Sequence, residues 1–153
     1  MSWSLPVHWS VRLVGAACLL LLFASLPGCG SSRQKVVYVS GKVTHGGGAW
    51  PSKGTIYFNP LKAAPGFTMR SGTGDFGPDG TFVVKSFEDS PGLAPGTYTV
   101  NIECWEVPPS MENPGKEKSF VPKDFQPGGP KAFTLEIKPG DSPHNLTYDV
   151  PKQ

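Results

Sequence analysis

The chain predicts an all-β fold, a two-sheet sandwich of seven strands (within a range of six to eight) behind an N-terminal signal helix. Three observations carry this prediction. The 153 residues include 19 Gly and 17 Pro, most of them between short runs of β-branched and aromatic residues. That is turn punctuation, and it leaves no room for long helices. After residue 29 no stretch repeats apolar residues every 3.6 positions; alternation with period two recurs instead. Without its first 28 residues the chain keeps 125, enough for one core and too few for two.

The first element is a leader, residues 1–28. Arg12 is its one firm positive charge, and Leu13 to Phe23 follow without a charged or strongly polar residue. A membrane-spanning helix needs about 20 consecutive apolar residues, and this run is shorter. An apolar stretch of about 7–15 residues ending in small residues is the pattern of a secretory signal; a membrane-spanning anchor is the alternative. Leu26-Pro27-Gly28-Cys29 closes the run. It resembles a bacterial lipobox, with Gly28 before the cut and Cys29 as the residue that takes fatty acyl chains such as palmitate. Pro27 departs from the usual pattern, so cleavage nearby, for instance after Gly30, stays open. Residues 29–35 form a polar tether, and at about 5–6 Å × √n its six residues after Cys29 reach roughly 13–14 Å.

The sandwich is expected over residues 36–151. A first strand covers 35–44, with Val37, Val39 and Val43 on one face and Tyr38 and Lys42 on the other. His45-Gly46-Gly47-Gly48 is a turn. Thr55–Phe58 is a second strand, stopped by Asn59-Pro60, and Phe67–Ser71 is a weaker third. Pro78-Asp79-Gly80 turns into a strand over Thr81–Lys85. Ala94-Pro95-Gly96 turns into the clearest one, Thr97–Trp105, where even positions are apolar and odd ones polar until Trp105. A Pro/Gly/Lys-rich connection runs from Pro108 to Lys131, long enough for a function or for covering the core. Strands over 132–138 and 145–150 close the chain around Pro139-Gly140-Asp141.

These residues resemble a family. Val39-Ser40-Gly41-Lys42-Val43-Thr44, Asp79-Gly80-Thr81-Phe82, Leu93 to Val100 and Val121-Pro122-Lys123-Asp124-Phe125 occur in the order of small planctomycete lipoproteins. Those carry a transthyretin-like (prealbumin-like), carboxypeptidase-regulatory-type domain. Phe125 stands where that pattern usually has Tyr. The resemblance implies a Greek-key sandwich and an accessory or adhesive role in the cell envelope, with no activity common to the family. Gly80 and Gly96 are read as turn residues suited to positive φ.

Composition excludes several classes. Without Arg12 the 14 basic residues become 13 against 12 acidic ones, and no Lys/Arg stripe marks a nucleic-acid surface. Cys18 lies in the leader and Cys29 is the lipidation site, which leaves Cys104, on a face with Tyr98, Val100 and Ile102, as a small buried hydrophobe. His45-Gly46-Gly47-Gly48 lacks the nucleophile elbow an esterase needs. Ser142 and His144 lie too close together, across Pro143, to form a triad. The two histidines past the leader, His45 and His144, with Cys104 are too few for zinc. Asp75, Asp79, Glu88 and Asp89 do not follow calcium-loop spacing and read as turn carboxylates. No catalytic residue, metal or cofactor is expected.

Trp50, Trp105, Phe120 and Phe125, in or beside loops, are the candidate ligand-binding residues, since flat rings stack on sugars or anchor a protein partner. The alternative is that they cover the ends of the core. The chain is therefore expected to be a non-catalytic lipoprotein, anchored in a membrane of the bacterial envelope with its domain outside the cytoplasm. Its sandwich would make protein contacts or serve an accessory structural role. The alternative is a carbohydrate-binding module that meets an envelope polysaccharide through the loop aromatics.

Overall fold

The computed structural model describes residues 35–88, 90–112 and 114–153; the leader, Gly28, Cys29 and the signal helix lie outside them. The compact unit Gln34–Gln153 is all-β. Its strands are β1 (Val39–His45), β2 (Gly54–Ala63), β3 (Gly72–Phe76), β4 (Thr81–Val83), β5 (Lys85–Phe87), β6 (Ser90–Pro91), β7 (Gly96–Val107), β8 (Lys118–Ser119), β9 (Phe133–Ile137) and β10 (His144–Val150). That is more than the six to eight expected, and the excess consists of pieces two or three residues long. One 3-10 turn, Lys123–Phe125, interrupts the long connection.

The strands form two sheets. The small one is ordered β10-β1-β4, the large one β6-β5-β3-β2-β7, with β8 and β9 both on the far edge of β7. β1 and β10 run parallel in the register Val39↔His144 to His45↔Val150. Apolar side chains from both sheets meet in one core, including Val39, Val43, Phe82 and Val150 from the small sheet and Ile56, Phe58, Val100 and Ile102 from the large. The rings of Phe58 and Phe82 lie 6.2 Å apart across it. This is a sandwich-like arrangement, and β7 is its centre. Its even positions Tyr98, Val100, Ile102 and Cys104 are all buried, as the alternation predicts.

Four expectations are corrected. β2 does not stop at Asn59-Pro60: it pairs with β7 as far as Ala63↔Gly96, with a register shift between Pro60 and Lys62 that takes up the irregularity. Phe67–Ser71 is not a strand; the third strand is β3, immediately after it. Thr81–Lys85 is not continuous, because the chain leaves the small sheet at Val84 to enter the large one as β5. The last two strands do not pair with each other: β9 joins β7 and β10 joins β1, so the turn at Pro139-Gly140-Asp141 connects different sheets. Gly80 does have a left-handed φ of 77°, but Gly96 does not; a Cβ at Gly96 would run into the Lys62 carbonyl, so its role is to give β2 room.

Candidate functional site

The four loop aromatics part company in the structure. Trp50 is only 3% exposed. Its indole N–H donates to the Val43 carbonyl at 2.9 Å, and its ring stacks on His45 with centroids 4.8 Å apart. Truncating a buried aromatic of this kind costs about 3–5 kcal/mol; Trp50 is a core residue and offers no face to a ligand. Phe120 and Phe125 are partly buried against the core, Phe125 in contact with Phe133 at 5.5 Å between centroids. They pack against the core on either side of the fully buried Val121. Trp105 is part-exposed as they are, but lies at an outward position of β7, on the outer face of the large sheet.

That face is where the polar residues gather. Thr55 of β2 stands directly between Asp75 of β3 and Glu103 of β7 in the strand register. Directly opposed Cβ atoms are about 4.5–5.5 Å apart, so the two carboxylates flank Thr55 at roughly twice that spacing. The Thr55 hydroxyl donates to Asp75 Oδ1 at 2.9 Å and the Tyr57 hydroxyl to Glu103 Oε2 at 3.1 Å. Burial first, and then the hydrogen bond and charge of Glu103, push the Tyr57 phenol above its usual range.

Three hollows adjoin along this face. One of about 600 Å³ is lined by Trp105, Glu103, Thr55, Asp75 and Lys53, among others. A second, of about 430 Å³, shares Asp75 with it and adds Thr73, Thr81 and Lys85. A third, of about 510 Å³, shares Thr73 and Lys85 with the second and ends at Arg70 and Met69. Together they make an open trough along β3 that also borders β4, with Trp105, Asp75, Glu103 and Lys53 at one end and Lys85 and Arg70 at the other. Asp75 and Trp105 stood out in the sequence; Thr55, Tyr57, Glu103, Lys53, Lys85 and Arg70 did not. Glu103 and Trp105 fall on the polar side of an alternating strand, but nothing local says that β2 and β3 bring partners beside them.

The remaining motifs resolve into turns. Asp149 closes His45-Gly46-Gly47-Gly48, accepting the Thr44 hydroxyl at 2.6 Å and the Gly47 N–H at 2.7 Å, contacts that hold its carboxyl below the usual range. His144 Nε2 lies 3.2 Å from Asp141 Oδ2, on the carboxylate that accepts the Lys138 N–H, while Ser142 is exposed. The Asp79 carboxylate accepts the Thr81 hydroxyl and the Thr81 N–H, in the turn where it was expected. Among the described residues no three His, Cys, Asp or Glu side chains are grouped to hold a metal ion; Asp89 lies outside them. Cys104 is fully buried, its thiol directed at the Lys53 and Ser52 carbonyls at 3.5 and 3.6 Å, and burial pushes its pKa up.

Compared with protein-family models, curated proteins and solved structures, the chain finds no match in any of the three.

Proposed function

We propose that the protein is a non-catalytic lipoprotein of the bacterial cell envelope. It is held by acyl chains on Cys29, and its Greek-key, transthyretin-like sandwich works outside the cytoplasm by non-covalent contact with an envelope component. The trough on the outer face of the large sheet is the observation that supports a contact role. It is open, and side chains of several strands, polar and apolar, line it along β3, as a surface for an extended partner should offer. The apolar run before Leu26-Pro27-Gly28-Cys29 supports the anchor. Each buried methylene contributes about 0.8 kcal/mol, so the two or three chains of a bacterial lipoprotein make the attachment effectively permanent. With a tether of only six residues, the trough stays near the membrane surface.

A second reading, a displayed carbohydrate-binding module, gains from Trp105. A ring with carboxylates, hydroxyls and an ammonium around it suits a hydroxyl-rich ligand better than an apolar one. The two-ring platform of Trp50 and Trp105 is replaced by one ring and a polar floor.

The anchor is tested by intact-mass analysis of membrane-extracted protein. The wild type should begin at Cys29 with a mass increment for acyl chains, and Cys29→Ala should yield neither the increment nor membrane retention. A soluble wild-type product with an unmodified Cys29 would overturn the reading.

A further inference from the structure

The trough along β3 changes character from end to end. At one end the partly exposed Trp105 ring lies with Asp75, Glu103, Thr55 and Lys53. Thr73 and Thr81 line the middle. At the far end stand Lys85 and Arg70, and no carboxylate is among the described residues lining that hollow. Arg70 is held in place there. Its Nε donates to the Ser86 carbonyl at 2.6 Å, and its guanidinium lies 4.1 Å from the centre of the Phe87 ring. The guanidinium is thereby held in place on an exposed residue, and its remaining donors suit a carboxylate.

We propose that this trough binds an extended anionic polysaccharide, a strand whose sugars carry carboxylate groups. One sugar ring stacks on Trp105 while its hydroxyls donate to Asp75 and Glu103; a carboxylate farther along the strand meets Lys85 and Arg70. The Thr73 and Thr81 hydroxyls between the two ends offer acceptor lone pairs, which suits a ligand that presents hydroxyls throughout. β3 is paired with β2 from Gly72↔Phe58 to Phe76↔Gly54 and with β5 at Thr73↔Lys85. The Trp105 ring with carboxylates and a threonine beside it favours a glycan, whose sugar faces stack on a ring while its hydroxyls bond to polar groups. The inference rests on reading this face as the contact surface and names its ligand.

Full-length protein in detergent micelles is titrated with a galacturonate oligosaccharide and with a neutral cello-oligosaccharide of equal length, followed by calorimetry and tryptophan emission. The expected result is saturable binding with a clear preference for the uronide. Trp105→Ala should weaken both ligands by about tenfold or more, the loss expected when a main contact is removed. Lys85→Gln with Arg70→Gln should remove the preference while leaving neutral-sugar binding in place, and added salt should do the same. All three positions are at least partly exposed, and circular dichroism checks that each variant is folded. Binding that ignores Trp105→Ala, or a preference that survives the double substitution, overturns the proposal. So does a folded wild type that binds neither sugar, including one that loses a crosslinked envelope protein on Trp105→Ala. Reading the mass at Cys29 on the same sample separates the two proposals. A lipidated protein that ignores both sugars sinks the glycan site alone, whereas an unlipidated one that prefers the uronide sinks the anchor alone.

Discussion

Tyr148 shows how one side chain binds the two sheets. It belongs to β10 in the small sheet, yet its ring centroid lies 4.7 Å from that of Phe133 in β9 of the large one, and it is 9% exposed. Burial pushes its phenol up to about 12, and burial raises Tyr98 in the same direction. An unfolded tyrosine titrates near about 10. The folded state therefore holds this proton more tightly than the unfolded one. That contribution to stability is fully present below pH ~10 and is lost as the pH rises toward the folded value of ~12. Urea midpoints measured from pH 9 to 12 should fall steeply for the wild type and less steeply for Tyr148→Phe. Equal slopes would show that the phenol is not buried as described. The same scale shows what residue types alone leave undecided. Trp50 and Trp105 look alike in the sequence, each in or beside a loop. What buries Trp50 is the Val43 carbonyl that receives its N–H and the His45 ring beneath it, and both depend on how the glycine turn folds back.

At the scale of elements, strands were legible where their buried positions carry apolar side chains. β7 announces itself because Tyr98, Val100, Ile102 and Cys104 fall on every second residue. β3 was not legible, because glycine occupies two of its three inward positions. A Cβ at Gly72 would strike Leu93 and Val84, and one at Gly74 would press on Ile56, so large neighbours fill the space that the strand leaves empty. The trough shares this blind spot, since its length follows β3. β10 was found, but its partner was not: a parallel pairing with a strand a hundred residues earlier leaves no trace in turn chemistry. That pairing carries a consequence for the element itself. β10 supplies Tyr148 and Val150 to the core and accepts the Gly46 N–H at the Val150 carbonyl. Losing large core side chains costs about 2–5 kcal/mol each, against a total of about 5–15 for a domain. A chain ending at Pro143 should accordingly lose its β spectrum in the far ultraviolet and its resistance to protease. A truncated protein that keeps both would mean β1 and β4 need no third strand.

On the scale of the whole molecule, neither sheet has a core without the other. The small sheet has only three strands, one of them three residues long, which is the lower limit for a stable sheet, and its apolar face must still be covered. Here the large sheet covers it, met by Val39, Val43, Phe82 and Val150. The chain also passes between the sheets repeatedly: from β1 to β2, from β3 to β4, at Val84 from β4 to β5, and from β9 to β10. Pulling the sheets apart would expose the apolar face of each while leaving these crossings in place. The domain should therefore unfold in one cooperative step, as small single domains usually do. Two probes can test this, because they report on different parts. Far-ultraviolet circular dichroism reads all the strands, whereas Trp50 sits where His45 of the small sheet and Phe76 of the large one meet, 4.8 and 5.2 Å from its ring. Its emission reads the junction alone, most cleanly in a Trp105→Phe background processed at Cys29. Denaturant curves from the two probes should superimpose, with the same midpoint and slope. An emission change that precedes the loss of strand signal would mean that the sheets separate before they melt, and that the shared core is not what holds each of them together.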